Sequence, residues 1–239
     1  MKSVIYALPA IILFSGNIIA QTPAPSKQDW KLSAELGFSA TSGNTDTQTL
    51  NTKGEASTDR ELWRHKIEAS ILNASDNDQT TARKFNLSGQ SDYKLEAPAY
   101  LFATISYEDD KFSGYDYRMV ESVGYGRRVI DDESLTVDLD IGPGLRQSKL
   151  SSGESDNEGL IRTAAKVNWI ISNTSTLTEN LSIEAGEDVT VTKSVTSLTS
   201  QIEGNLSMKV SFSFQNSSKV PAGIDKTDTE TAITLVYSF

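Results

Sequence analysis

The sequence predicts an all-β fold, a transmembrane antiparallel up-and-down β-barrel of about twelve strands following a cleaved signal peptide. Three observations carry it. Apolar and polar residues alternate with period two in stretch after stretch. Short turns and longer loops interleave between those stretches, and a set of aromatic residues that includes all three tryptophans gathers at the strand ends of one side.

The leader comes first. Lys2 precedes an apolar run from Val4 to Phe14 and on to Ile19, closing on Ala20 before Gln21-Thr22-Pro23-Ala24-Pro25. Charge, apolar stretch and small terminal residue are the order of a secretory signal, and Pro9, Ser15, Gly16 and Asn17 break the run too often for a permanent membrane helix. The expected organisation is a signal peptide at 1–20, a short periplasmic segment at 21–29 and one barrel at 30–239. Absent cysteine excludes a disulfide framework and a lipid-anchored N-terminal cysteine. The net charge of -10 argues against a nucleic-acid partner, whose phosphates demand a basic surface. No later run approaches the ~20 apolar residues of a spanning helix.

In chain order the expected strands are 30–40, 47–58, 63–71, 84–93, 99–107, 117–125, 135–141, 161–169, 177–186, 194–206, 208–215 and 230–239. Trp30, Leu32, Ala34, Leu36, Phe38 and Ala40 share one face of the first. In the third, Trp63, His65, Ile67, Ala69 and Ile71 oppose Arg64, Lys66, Glu68 and Ser70. In the seventh, Leu135, Val137, Leu139 and Ile141 oppose Thr136, Asp138 and Asp140. In the last, Thr231, Ile233, Leu235, Tyr237 and Phe239 oppose Glu230, Ala232, Thr234, Val236 and Ser238. The fifth and sixth are apolar on both faces, which leaves their parity open and the count at about ten, twelve or fourteen.

Tight turns are expected at 59–62, 95–98, 127–134, 172–176 and near Ser207; longer outer loops are expected at 42–46, 73–80, 109–116, 147–157, 187–193 and 216–229. Both chain ends then lie on the periplasmic side. Trp30, Trp63, Tyr93, Tyr100, Tyr125, Trp169, Tyr237 and Phe239 fall at that boundary, where a barrel places its aromatic girdle. A soluble secreted β-sandwich would also alternate. The ending Tyr237-Ser238-Phe239 favours the barrel, because it resembles the C-terminal signal read by the barrel-assembly machinery.

Alternation turns a charged row inward: Lys53, Glu55, Lys66, Glu68, Lys84, Asp92, Glu108, Arg118, Asp138, Asp140, Arg162, Lys166, Glu184, Glu203 and Lys209. Mixed signs on facing strands either pair into a lattice that fills the lumen or line a narrow polar pore, and the sequence leaves both open. His65 is the sole histidine. It falls on the outer face beside Trp63 and is followed by Lys66-Ile67-Glu68, not by the His-x-Ser-Asn-Gly pattern of a barrel phospholipase, so a girdle role is expected. The carboxylate pairs Asp109-Asp110, Asp131-Asp132 and Glu187-Asp188 point to opposite faces of a strand, and Asp76-Asn77-Asp78 lacks the glycine and distal glutamate of a calcium loop. No catalytic, metal or cofactor site is expected.

Several segments resemble a known family. Ser42-Gly43-Asn44-Thr45, Tyr107-Glu108-Asp109-Asp110-Lys111-Phe112-Ser113, Tyr115-Asp116-Tyr117-Arg118, Gly124-Tyr125-Gly126 and the terminal Tyr-Ser-Phe are similar to the salt-induced outer-membrane proteins of YdiY type, a domain of unknown function. The resemblance implies an outer-membrane location and a link to salt or osmotic conditions, and supplies no catalytic residues. The expected function is a non-enzymatic envelope barrel or narrow passive channel. The alternatives are a lipid-acting barrel enzyme and a secreted soluble β-sandwich binding protein. Expected partners are outer-membrane lipid, lipopolysaccharide and the barrel-assembly machinery, with the oligomeric state open.

Overall fold

The computed structural model describes residues 30–42, 47–76, 79–110 and 113–239. The expected signal peptide, the segment 21–29, most of the 42–46 loop with its Gly43-Asn44-Thr45 motif, and Asn77, Asp78, Lys111 and Phe112 lie outside them.

Twelve strands form one closed ring: β1 (Lys31–Ser42), β2 (Thr47–Asp59), β3 (Trp63–Asp76), β4 (Gln79–Lys94), β5 (Ala99–Asp110), β6 (Tyr115–Asp131), β7 (Leu135–Leu150), β8 (Ser155–Ser172), β9 (Ser175–Gly186), β10 (Thr190–Glu203), β11 (Leu206–Ser217) and β12 (Thr227–Ser238). Each pairs antiparallel with its chain neighbours, and β1 closes on β12 with Leu36 opposite Leu235. Closure leaves no strand edge unpaired, which is the condition for a sheet in hydrocarbon. β1 begins and β12 ends at one rim, called here the turn end; the opposite rim is the loop end.

Period two decides what each side chain meets. On β12, Ala232, Thr234 and Val236 are buried, whereas Ile233, Leu235 and Tyr237 stand out at 54%, 52% and 47% exposure. The same outward exposure holds for Leu101 and Ile105 on β5, Ile141 and Leu145 on β7, and Ile161 and Trp169 on β8. An exposed apolar belt running round the ring is the surface of a protein solvated by lipid.

Two expectations need correction. The turn expected at 127–134 and the loops expected at 73–80, 147–157 and 187–193 are largely strand: β3 runs to Asp76, β4 starts at Gln79, β6 runs to Asp131, β7 runs to Leu150, β8 starts at Ser155 and β10 starts at Thr190. Ladder hydrogen bonding does not need apolar side chains, so the hairpins continue where alternation fades. The parity of β5 is settled by the lumen, because Tyr100 and Phe102 are buried at 4% and 3%. Tyr100 therefore leaves the girdle and belongs to the interior.

Candidate functional site

Among the described residues, two cavities lined largely by polar and charged side chains open into the inward face. One, of about 350 Å³, opens toward the loop end among Asn51, Lys84, Asn86, Glu108, Asp110 and Glu230. The other, of about 800 Å³, opens toward the turn end among Glu55, Lys66, Glu68, Asp92, Asp138, Arg162, Lys166 and Glu184. Glu35, Lys53, Lys193, Val195 and Lys209 wall both, so the two meet at a charged collar.

At the collar, Lys209 Nζ on β11 donates to both oxygens of Glu35 on β1, at 2.9 and 3.1 Å. Lys53 pairs with Glu68, and Lys66 bridges Glu55 at 3.2 Å and Glu68 at 3.5 Å. Glu108 on β5 is a hub: Arg118 donates to one oxygen, while Lys84 at 3.8 Å and Lys193 at 3.4 Å approach the other. Arg118 is also stacked over the Tyr115 ring at 4.8 Å.

Toward the turn end a second network crosses the lumen. Arg64 on β3 donates to Asp92 at 2.7 Å and reaches Asp138 on β7 at 3.2 Å, where Arg128 donates at 2.8 Å. Lys166 on β8 donates to Gln90 on β4 at 2.6 Å, and Gln90 donates in turn to Asp92 at 2.8 Å. Tyr100 donates to Asp140 at 2.5 Å beneath the Arg64 guanidinium, 4.9 Å above its ring. A third cluster near the loop end seats Arg146 between Glu158 and Glu184, the latter at 3.3 Å. Buried charges are stable only when paired, and here nearly every cation meets its carboxylate from another strand.

Of the charged residues read from alternation, Lys53, Glu55, Lys66, Glu68, Lys84, Asp92, Glu108, Asp138, Arg162, Lys166, Glu184 and Lys209 line the cavities. Arg118 and Asp140 pack behind that surface. Glu203 does not join them: it is exposed at the β10–β11 turn, next to a register shift after Gln201 that ends regular alternation. Sequence reasoning missed Arg64, Arg128, Arg146, Glu158 and Lys193. The polar face of β3 held the signal for Arg64; Arg128 and Lys193 sit in stretches read as turn and loop, and Arg146 and Glu158 sit in the gaps between the strands read at 135–141 and 161–169 and the loop read at 147–157.

On the outer face Trp30, Trp63, Tyr93, Tyr125, Trp169, Tyr237 and Phe239 are exposed near the turn end. Trp63 meets Tyr93 edge-on at 5.0 Å, and Tyr237 meets Phe239 at 4.9 Å. A second row, absent from the sequence reading, joins Phe85, Tyr107 and Tyr117 at 6.4 and 6.0 Å nearer the loop end. His65 stacks on Trp63 at 5.6 Å, and its Nδ1 lies 2.9 Å from Ser91 Oγ on β4. Cross-strand pairing makes that contact, which no local sequence pattern announces.

Comparison with known proteins agrees with the architecture. A family model described as "Protein of unknown function, DUF481" matches residues 34–239. The uncharacterized protein YdiY of Escherichia coli strain K12 is 26% identical over 250 aligned positions, covering 97% of each chain. Among solved structures, the NanC porin aligns with TM-score 0.58 and 12% identity over 85% of this chain and 98% of its own. The COG4313 outer membrane channel of Pseudomonas putida F1 aligns with TM-score 0.51 and 11% identity over 93% of this chain and 100% of its own. At these identities the two structures speak for the fold alone.

Proposed function

The chain belongs to the DUF481 family, and from that premise we propose that it is a non-enzymatic outer-membrane barrel acting as a narrow passive channel for small polar solutes. The observation that carries this reading is the pair of polar cavities meeting at the Glu35, Lys53, Lys193, Lys209 collar. A barrel filled only for stability would close its interior with side chains, as small barrels do. This one keeps water-sized space on both sides of a ring made of three lysines and Glu35. The loop end faces outward and the turn end faces the periplasm, with lipid and lipopolysaccharide around the belt. The signal peptide and the terminal Tyr237 and Phe239 serve export and recognition by the barrel-assembly machinery.

The collar also offers a physical route to salt dependence. Lys193, Lys53 and Lys66 keep 30–42% of their side chains exposed, and ion pairs in contact with solvent weaken as the Debye length falls from about 8 Å at physiological salt to about 3 Å at 1 M. Conductance of the refolded protein in planar bilayers is expected in discrete steps that grow faster with salt than bulk conductivity does. Electrical silence at every salt concentration would sink the channel reading.

A second reading has one observation in its favour, the Ser91 hydroxyl on His65 at the lipid-facing wall. A lipid-acting enzyme needs such a pair, but also a group that orients the base and donors for an oxyanion. The partners described for His65 are Ser91 and the Trp63 ring, and neither is an acid.

A further inference from the structure

The segment 218–226, between β11 and β12, departs from its own hairpin. Its root is held firmly: Ser217 N–H donates to the Lys226 carbonyl at 2.8 Å, Ser218 N–H to the Thr190 carbonyl at 2.9 Å, and Thr190 N–H to Ser218 Oγ at 2.9 Å. Beyond the root the chain turns at Pro221 and Gly223, with φ 86° at the glycine and the Ile224 N–H donating to the Pro221 carbonyl at 3.2 Å.

The tip then rests on Gly114, in the β5–β6 turn. A Cβ placed on Gly114 would stand 3.0 Å from Pro221 Cγ and 3.1 Å from Ile224 Cγ1. Those two hairpins are five strands apart whichever way the ring is followed, so the contact crosses the mouth of the barrel. The far shore is itself fixed, because the Gly114 carbonyl accepts from Ser151 N–H at 3.0 Å. Gly114 has φ 78° and no side chain, and both properties are used: the turn needs the left-handed region and the tip needs the space. Under this span lies the loop-end cavity, walled partly by Phe214, Gln215 and Thr229 from the two strands that carry it.

The two attachments differ in kind. Hydrogen bonds hold the root, and at Gly114 the edges of Pro221 and Ile224 meet the backbone of the opposite turn.

We infer that residues 219–225 are a strap across the loop-end mouth that sets the size of solute admitted, passing small polar molecules beside it and rejecting oligomeric chains. The inference rests on the channel reading and specifies its solute class. Because the chain contains no cysteine, Gly114→Cys with Pro221→Cys introduces the only thiols, and their Cβ atoms would be 3.2 Å apart, a few tenths of an ångström inside the ~3.5–4.5 Å of a disulfide, which a small outward shift of the tip would reach. The full-length protein is refolded, checked by its heat-dependent gel mobility, and assayed by liposome swelling with a series from mono- to tetrasaccharide.

Oxidised protein should admit only the smallest sugar. Reduction should add larger sugars, as should replacement of 220–224 by Gly-Ser-Gly. Gly114→Cys alone is the control for strain at that backbone position, and Pro221→Gly with Ile224→Ser loosens the tip without touching Gly114. An unchanged size limit in the strapless and loosened variants overturns the strap, as does failure of the two introduced thiols to oxidise to a disulfide in folded protein. Ion conductance separates the two failures: if it persists in every variant the channel reading stands without the strap. If even the strapless barrel passes no ions, both fall.

Discussion

Lys193 Nζ stands 3.4 Å from Glu108 Oε2, and the two come from β10 and β5, five strands apart in the ring. The brace is unequal. Glu108 is 8% exposed and faces three cations, whereas the Lys193 side chain keeps 36% of its surface in solvent. Lys193→Met should therefore cost less than about 1 kcal/mol of stability, as for a wet ion pair, while widening the collar and raising single-channel conductance. Glu108→Gln should cost on the order of 3–5 kcal/mol, because Arg118, Lys84 and Lys193 lose their common counter-charge, and should shift the reversal potential toward anions. Urea unfolding in detergent and bi-ionic potentials read the two effects. Equal losses of stability from both variants would contradict the asymmetry.

Gly126 lies against Tyr100. A Cβ at 126 would overlap the Tyr100 ring, which cannot withdraw while its hydroxyl donates to Asp140 and Arg64 covers its face. Gly126→Ala should destabilise by about 1–3 kcal/mol through overpacking. In the double variant with Tyr100→Ala the added methyl should cost much less than it does alone, since the neighbours share one space. Additive losses in a double-mutant cycle would show that the clash is relieved elsewhere.

The ring was legible because lipid and lumen are different solvents on opposite faces of each strand. Where both faces kept their character, as in β8 from Ile161 to Trp169, alternation defined strand and orientation together. Where the lumen is itself apolar, as at Tyr100 and Phe102, alternation vanished and parity stayed open. Lumen positions such as Lys53 and Glu68 could be read from the strand pattern alone. Lys193 lies where polar residues occupy both faces and look like loop, and Arg146 and Glu158 pair at the margin of the apolar belt, beside Leu145, past the strand ends read from alternation. The strap and the Ser91–His65 contact depend on pairing across the ring and between strands, which one sequence does not encode locally.

Glu121 is out of place on the outer wall of β6. It lies four residues from Tyr117 on one side and four from Tyr125 on the other, follows Met119 by two positions, and is paired across the sheet with Ile105 and Leu145. That puts an exposed carboxyl halfway between the two aromatic rows, where an acidic group costs up to about 2 kcal/mol in lipid. Glu121→Leu should stabilise the barrel in bilayers by about 1–2 kcal/mol, with conductance unchanged because the side chain faces away from the lumen. A destabilised Glu121→Leu barrel would mean that the carboxyl has a partner in the membrane.

Ser91 and His65 give the enzyme alternative its own test. Their hydrogen bond is on the outer wall, and Trp63 stacks flat on the imidazole with 12° between the rings. If the pair served catalysis, Ser91→Ala would abolish fatty-acid release from phospholipid vesicles without altering fold or conductance. If it belongs to the girdle, release should stay at the protein-free level before and after the change. Ser91→Ala should then cost only the ~1 kcal/mol typical of one hydrogen bond, since the half-buried imidazole can regain a partner from interfacial water. Any release above background that depends on Ser91 would overturn the non-enzymatic reading while leaving the barrel and its collar as they are.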